Sequence, residues 1–248
     1  MPDTDSPVAL AAYDALADDF AESAPEKPYN ADLERPATRD LLPDLDGLDV
    51  LDAGCGPGIT TEELLDAGAT VVAGDVSSAM LAHARERVGA HADLVRLDFA
   101  QGFPFADDAF DLVHASLAFT YARDWGTLFA EVARVLRPGG RVVFSTQHPM
   151  DDAIRLDVED YFETEAVSET WDGFSDSVEM HFFRRPLEVT LNTVLDAGLR
   201  IERVVEPEPT DRFREKAPAA AERIRVQPPF LCVRARLPPA PGTRKPTE

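Results

Sequence analysis

The chain has 248 residues, of which 44% are hydrophobic, so it can bury a core and is not expected to be fully disordered. Lysine plus arginine number 24 and aspartate plus glutamate 46, which gives a net charge of −22. Such a surface repels nucleic-acid phosphate and anionic lipid, so we expect neither as a partner. No apolar run is long enough to span a bilayer, and the acidic first residues do not resemble a secretory signal. We therefore expect a cytoplasmic protein, either a monomer or a homodimer.

The acidic residues are spread along the chain, and the three lysines are Lys27, Lys216 and Lys245. This pattern is typical of a halophile with molar salt in its cytoplasm, where a Debye length of about 3 Å screens the repulsion. An ordinary acidic protein is the alternative. Cys55 and Cys232 are too few for a disulfide framework or a four-cysteine zinc site, so we expect buried thiols and no metal.

Residues 1–44 predict a helical segment that covers the rest of the domain. Apolar residues recur at helical spacing over residues 8–20, and a second helix is predicted over residues 35–42, where Pro43 stops it.

Residues 45–147 alternate between short apolar strands and amphipathic helices. The predicted strands are 49–52, 69–74, 93–97, 110–116 and 141–146, and the predicted helices are 60–67, 77–88 and 125–136. An Arg-Pro-Gly-Gly turn is predicted at 137–140. This alternation is typical of a parallel sheet covered by helices on both faces, an α/β fold.

Residues 150–185 break the alternation with an acidic and aromatic insert after strand five. We expect a lid over the site, and a dimer patch is the alternative. The predicted elements from here on are strands 165–170 and 177–184 around a turn at 172–173, a helix at 186–197, and strands 199–205 and 230–237. Residues 186–237 thus complete the sheet, and the proline-rich residues 238–248 predict a loose tail. The whole chain is expected to be one domain.

The first predicted strand runs into a glycine-rich loop, Asp-Ala-Gly-Cys-Gly-Pro-Gly, at residues 52–58. Glycine lets the backbone turn sharply and approach a ligand, and the next helix offers free N–H groups at its start. Ligands of an open parallel sheet lie beyond the C-terminal strand ends, so this loop is the expected site. The loop lacks the Gly-Lys-Ser/Thr of a phosphate loop, and Ile59 stands where a dinucleotide loop needs a small residue.

Aspartates at the ends of the first three strands indicate the ligand. Asp52 suits an ammonium group, Asp75 can accept hydrogen bonds from a ribose, and Asp98 can accept from an adenine amino group, with Phe99 beside it. S-adenosylmethionine has a cation, a ribose and an adenine, and it has no phosphate. Structural roles are the alternatives: Asp75 could cap a helix in competition with Ser77, Asp98 could be a turn residue, and Phe99 could belong to the core.

Four stretches, 50–60, 73–80, 98–113 and 135–145, resemble the motifs of class I S-adenosylmethionine-dependent methyltransferases, in the expected order. The subgroup resembled contains quinone-biosynthesis and other small-molecule methyltransferases. The resemblance implies a Rossmann-like, seven-stranded, mostly parallel sheet with a late antiparallel strand. It is specific for fold and cofactor and says little about the substrate.

The resemblance also implies which residues bind the cofactor. The glycine loop would hold the methionyl part, and the acids after strands two and three would hold the ribose and the adenine. The implied cofactor-binding residues are Asp52, Ala53, Gly54, Cys55, Gly56, Asp75, Val76, Met80, Asp98, Phe99 and Ser116. Leu117 would line the methionyl end, and Tyr13 and Tyr29 lie in a segment that often covers the cofactor in this family.

No residue stands out as a catalytic base. His148 follows strand five and could act as a general base or be an ordinary loop histidine. Tyr121 and Trp125 follow strand four, and His181 and Arg184 lie on the insert; each could line the substrate pocket or serve packing. Together with His148, Tyr121 and His181 are the candidates for a catalytic role.

The predicted function is transfer of a methyl group from S-adenosylmethionine to an O, N or C nucleophile of a small molecule. The protein would act mainly through proximity and orientation. A protein that binds the cofactor or S-adenosylhomocysteine without transfer is one alternative. An NAD-dependent oxidoreductase is disfavoured by the glycine spacing. A nucleic-acid methyltransferase is disfavoured by the charge and by the lack of an Asn-Pro-Pro-Tyr-like tetrad.

Overall fold

The structure is a computed structural model, and it describes residues 7–172, 174–175 and 177–239. The strands are β1 Asp49–Ala53, β2 Thr70–Asp75, β3 Ala92–Arg96, β4 Phe110–Ala115, β5 Leu136–Gln147, β6 Glu165–Trp171, β7 Val178–Arg184, β8 Arg200–Val205 and β9 Phe230–Arg236. The helices are α1 Leu10–Ser23, α2 Arg35–Arg39, α3 Ile59–Asp66, α4 Ser78–Val88, α5 Trp125–Val135, α6 Pro149–Arg155, α7 Leu187–Asp196, α8 Asp211–Lys216 and α9 Pro218–Ile224. A π-helical turn, Asn30–Glu34, leads into α2. Residue 173 of the predicted turn and residues 240–248 of the predicted tail lie outside the described residues.

Seven strands form one sheet in the order β3-β2-β1-β4-β5-β9-β8. All pairs from β3 to β5 are parallel, and β9 runs antiparallel to both β5 and β8. The predicted fold class, a Rossmann-like mostly parallel sheet with a late antiparallel strand, is confirmed. From β1 the chain adds β2 and β3 on one side of the sheet, and from β4 it adds β5 on the other side. The strand order therefore reverses between β1 and β4, and a ligand crevice is expected there.

Strand residues alternate between two hydrophobic cores, one on each face of the sheet. Leu51 and Val113 face a core that includes residues of α5 and α7. Their neighbours Val50 and Leu112 face a second core, with residues of α3 and α4. Because side chains in a strand point to opposite faces in turn, an uninterrupted apolar strand requires helices on both sides.

The predicted turn at 137–140 is wrong, because these residues belong to β5. Leu136 pairs with Phe110 and Arg141 with Leu112, so the register shifts and the extra residues form an irregular, bulged segment. The N–H of Gly139 donates to the carbonyl of Leu237 at 3.0 Å, which anchors the segment to the chain after β9. Glycine fits there because its φ is +91°.

Helices α6, α8 and α9 are absent from the sequence-based prediction. They have seven, six and seven residues, which is too short for a helical period to show. Each nevertheless has a recognisable start: Pro149 and Pro218 stand in the first turns of α6 and α9, and Thr210 caps α8 by accepting from the N–H of Phe213.

The insert contains an antiparallel hairpin, β6–β7, in which Glu165 lies opposite Arg184. The two predicted strands are therefore confirmed. The side chain of Arg184 is completely buried, and its guanidinium bonds Glu165 at 2.7 Å. It also donates to three backbone carbonyls of residues 160–163, at 2.7 to 2.9 Å. Arg184 does not line the large cavity at the C-terminal ends of the central strands. Its contacts instead hold the loop at residues 160–163 to the base of the hairpin.

We expect Arg184→Leu to lower the free energy of unfolding by about 3 kcal/mol, because it leaves a carboxylate and three carbonyls without their donor. Denaturant unfolding measures this change. Arg203→Leu, at an exposed position of β8, is the matched control and should change stability by less than about 0.5 kcal/mol. Equal effects of the two substitutions would show that the buried guanidinium does not hold the hairpin.

Candidate functional site

A cavity of about 1640 Å³ lies at the C-terminal ends of the central strands. Its other walls come from α1, the π-helical turn and the β6–β7 hairpin. The predicted cofactor-binding residues that line it are Asp52, Gly54, Cys55, Gly56, Asp75, Val76, Met80, Asp98, Phe99 and Ser116. Ala53 does not line the cavity, because its side chain is fully buried in the core under the sheet.

The glycine loop folds back over the end of β2. The N–H groups of Gly54 and Cys55 both donate to the carbonyl of Gly74, at 2.7 and 3.0 Å. Gly54 has a φ of +80°, and a Cβ there would lie 2.3 Å from the Cβ of Ala118. Glycine is therefore required at this position by both backbone conformation and space.

Asp75 lies at the end of β2, held by this loop. Its Oδ2 accepts from the N–H of Gly56 and its Oδ1 from the N–H of Ser77, both at 2.9 Å. Burial raises the pKa of Asp75 to about 6, although the two backbone N–H groups favour the carboxylate. Ser77 caps α4 by accepting from the N–H of Met80 at 3.1 Å, so Asp75 is not the cap.

Asp52 is buried under the loop and bonded through both oxygens. One oxygen accepts from Thr61 Oγ1 at 2.6 Å, and the other pairs with His114 Nδ1 at 2.9 Å. Burial opposes the charge on His114, but the hydrogen bond to Asp52 and the charges of Asp52, Glu34 and Glu63 together outweigh it and raise the pKa of the histidine. His114 is opposite Asp52 in the β1–β4 register, so the pair fixes the two central strand ends against each other.

Asp98 and Phe99 have structural contacts as well as a place in the cavity wall. Asp98 Oδ1 accepts from the N–H of Ala100 at 3.0 Å and begins a short helical turn. The Phe99 ring contacts Phe103 and Phe119, with ring centroids 6.2 and 5.5 Å away. Asp98 is thus a turn residue and Phe99 packs against the core, as the structural alternatives proposed. The same contacts hold both side chains at the cavity wall.

Glu34 is a buried carboxylate of the cavity wall that no local sequence pattern marks. It accepts from Ser116 Oγ at 2.9 Å, from Ser145 Oγ at 2.6 Å and from Thr38 Oγ1 at 3.2 Å. Ser145 Oγ in turn accepts from the N–H of Leu117 at 2.9 Å. This network joins the π-helical turn to the ends of β4 and β5, and it orients the hydroxyl of Ser116.

Two of the side chains considered for catalysis or for the substrate pocket, His148 and Trp125, lie outside the cavity wall. His148 does not line the cavity, because its Nδ1 accepts from the N–H of Met150 at 3.2 Å and its Nε2 lies 2.9 Å from Glu206. It caps α6, which favours the structural alternative over a role as a base. Trp125 is buried, with its Nε1 donating to the carbonyl of Phe119 at 2.8 Å and Arg185 over its ring.

Tyr121 and His181 both line the cavity. The hydroxyl of Tyr121 lies 2.7 Å from that of Tyr13, which joins α1 to the loop after β4. Burial raises the pKa of both phenols, so they are protonated at neutral pH and serve as hydrogen-bond partners. Tyr121 is therefore unsuited to act as a base.

In the described part of the chain, no three His, Cys, Asp or Glu side chains are grouped so that they could hold a metal ion. The same residues include no helix with the length and apolar character needed to cross a membrane. Cys55 and Cys232 are free and buried, as predicted.

Comparison with known proteins defines the class. A family model described as a methyltransferase domain matches residues 51–144. The solved S-adenosylmethionine dependent methyltransferase of Mesorhizobium loti is 32% identical, with a TM-score of 0.67, over 82% of this chain and 97% of that one. The chain therefore belongs to the S-adenosylmethionine-dependent methyltransferases, and S-adenosylmethionine is the cofactor of that family.

Curated relatives match a shorter part. Malonyl-(acyl-carrier protein) O-methyltransferase of Pseudescherichia vulneris is 38% identical over 135 residues, 53% of each chain. Demethylmenaquinone methyltransferase of Mycobacterium marinum is 43% identical over 117 residues, 45% of this chain and 48% of its own. This chain thus spans about half the length of the curated relatives it matches.

We expect Asp52→Asn to lower the free energy of unfolding by about 3 kcal/mol in the absence of cofactor, because it leaves a buried imidazole without its anionic partner. Denaturant unfolding provides the measurement, with Asp93→Asn at an exposed position of β3 as the control. If Asp52→Asn lowers the free energy of unfolding no more than Asp93→Asn does, the buried pair of Asp52 and His114 does not fix the strand ends.

Proposed function

We propose that this protein transfers the methyl group of S-adenosylmethionine to an O, N or C nucleophile of a small molecule. The lone pair of the nucleophile forms a bond to the methyl carbon, and the carbon–sulfur bond breaks. Its electron pair stays on sulfur, which leaves neutral S-adenosylhomocysteine. The observation that carries the proposal is the Asp75 carboxylate, held by the glycine loop at the open end of the sheet in a chain of this family.

The cavity can hold both reactants together. Its volume of about 1640 Å³ exceeds the roughly 300–1,000 Å³ of a pocket for one small ligand. Holding both reactants in line supplies the proximity and orientation on which the rate depends. Helix α1 and the β6–β7 hairpin form two of the cavity walls, and we assign to them the role of excluding water from the reacting atoms.

We assign the cofactor groups to the residues around the loop. Asp75 accepts hydrogen bonds from the ribose, Val76 and Met80 flank the adenine, and Asp98 accepts from its amino group beside Phe99. The residues assigned to the methionyl part are Asp52, Gly54, Cys55, Gly56 and Ser116. Their common place in the wall of one cavity supports this assignment.

Arg35 is our candidate for the methionyl carboxylate, which needs a cation. It lines the cavity and also a small adjoining pocket shared with Thr60 and His114, next to the start of α3. Its guanidinium donates to the carbonyl of Ala24 at 3.3 Å. No ion pair to Arg35 is found within the described ranges, so it can accept an anionic ligand.

We also propose that the acidic surface is an adaptation to concentrated salt and that the protein acts in the cytoplasm, as a monomer or homodimer, without a nucleic-acid partner. The charge of −22 and the three lysines support this proposal. Ligand binding should accordingly be measured in about 2 M KCl, where salt strongly screens the repulsion between the surface carboxylates.

The affinity for S-adenosylhomocysteine should fall about tenfold between pH 7.5 and pH 5, because Asp75, with a pKa of about 6, becomes protonated and no longer offers a full set of acceptors. Asp75→Asn should weaken binding at pH 7.5 by about 10- to 100-fold and remove most of this pH dependence. Calorimetric titration measures both effects, with Asp93→Asn as the neutral control. NAD binding without S-adenosylhomocysteine binding would refute the proposed function.

Arg35→Gln should weaken S-adenosylhomocysteine by about tenfold, because a charge-assisted hydrogen bond to the carboxylate is lost. It should leave methylthioadenosine unaffected, since that nucleoside has no amino-acid part. Asp75→Asn should weaken both ligands, because both have the ribose. Equal weakening of both ligands by Arg35→Gln would rule out the carboxylate assignment.

A further inference from the structure

Five aromatic side chains, which we term the aromatic cluster, stand together in the cavity wall. They are Tyr13, Phe20, Tyr121, Trp171 and Phe174. Tyr13 and Phe20 belong to α1, and Tyr121 follows β4. Trp171 is the last residue of β6, and Phe174 lies between β6 and β7. All five are partly buried and pack against a small buried core of Ala9, Leu16 and Met180, so the exposed part of each ring lines the cavity.

Some ring pairs of the aromatic cluster are perpendicular and others are nearly parallel. Tyr13 is perpendicular to Phe20, Tyr121 and Trp171, at 87° to 88° and centroid distances of 5.5 to 6.3 Å. Phe174 is nearly parallel to Phe20 and Trp171, with both centroids 6.1 Å away. Ring faces therefore point in more than one direction, which is how aromatic side chains surround a cation.

A cation already occupies one of these faces. The ammonium of Lys27 lies 3.2 Å from the centroid of the Phe174 ring. Burial lowers the pKa of this lysine, and the nearby carboxylate of Asp19 partly opposes the effect. Lys27 thus shows the position that the ammonium group of a ligand would take.

The charge of the cavity wall also favours cations. Carboxylates outnumber basic side chains among the lining residues. The acidic residues are Glu34, Asp52, Asp75, Asp98, Asp124, Asp151, Glu165 and Glu169, and the basic ones are Lys27, Arg35, Arg123, Arg155 and Arg223. Arg155 and Arg223 are paired with Asp151, Asp152 and Glu169, and Glu165 and Asp52 are paired with Arg184 and His114. Among the described residues, the lining carboxylates outside these ion pairs are Glu34, Asp75, Asp98 and Asp124, against Lys27, Arg35 and Arg123, so a small negative excess remains in the wall.

We propose that the aromatic cluster binds an alkylammonium group of the methyl acceptor, in the place that the Lys27 ammonium occupies. This inference rests on the proposed function, because the acceptor must share the cavity with the cofactor. The ring faces attract the cation through their quadrupoles, and the excess of carboxylates strengthens the attraction. A carboxylate acceptor or an uncharged quinone gains neither interaction.

Three probes of similar shape and different charge test the proposal: choline, its neutral carbon analogue neohexyl alcohol, and the anion tert-butylacetate. Each is titrated into the protein saturated with S-adenosylhomocysteine, in one buffer. Choline should bind about tenfold or more tightly than the neutral alcohol. Phe174→Leu and Trp171→Leu should make the affinities for choline and for the neutral alcohol equal. Lys27→Met should raise the affinity for choline, because it removes the competing ammonium group. Phe162→Leu, a highly exposed ring outside the cavity wall, is the matched control and should change nothing.

S-adenosylhomocysteine binding by every variant verifies that the fold and the cofactor site are intact. If the unaltered protein binds S-adenosylhomocysteine but choline binds no better than the alcohol, or not at all, the aromatic cluster is not an ammonium site. A preference for tert-butylacetate would likewise overturn the proposal and favour an acidic acceptor. Failure of the unaltered protein to bind S-adenosylhomocysteine would instead count against the proposed function.

Discussion

The hydrogen bond from the N–H of Gly56 to Asp75 joins the glycine loop to the second strand, and the site is organised around it. It fixes a carboxylate in a cavity wall where burial would otherwise favour the neutral acid. A carboxylate at this position can accept hydrogen bonds from the hydroxyl groups of a ribose, as the acid after the second strand does in dinucleotide-binding folds. A dinucleotide is disfavoured instead by the glycine spacing, because Ile59 stands where a small residue is needed.

That hydrogen bond depends in turn on the register of the central strands. Gly74 accepts from two N–H groups of the loop because β1 and β2 pair with Ala53 opposite Gly74. The buried pair of Asp52 and His114 holds β1 against β4. Two hydrophobic cores, one on each face, hold the sheet itself, so the position of a few polar atoms follows from packing throughout the domain.

The cofactor half of the site could be predicted from sequence because its signals are local. Each aspartate follows its own strand, and the glycine loop follows the first of them. Glu34 could not be predicted, because its hydroxyl partners include Ser116 and Ser145, far along the chain. The sequence left two roles open for His148, a base or an ordinary loop histidine, because its position after a strand could not show that it caps α6 and lies beside Glu206.

The acceptor half is built differently, from segments that are distant in sequence. Tyr13 and Phe20 lie before the part matched by the methyltransferase family model, residues 51–144, and Trp171 and Phe174 lie after it. The matched part contains the strands and acids around the cofactor. Tyr121 lies within the matched part, but the other four rings of the aromatic cluster lie outside it, so most of the proposed acceptor wall can change while the cofactor wall stays the same. This separation is consistent with relatives of similar identity whose names contain acceptors as different as malonyl-(acyl-carrier protein) and demethylmenaquinone. The acceptor of this chain must therefore be inferred from the chemistry of its own cover, where rings and carboxylates face the cavity.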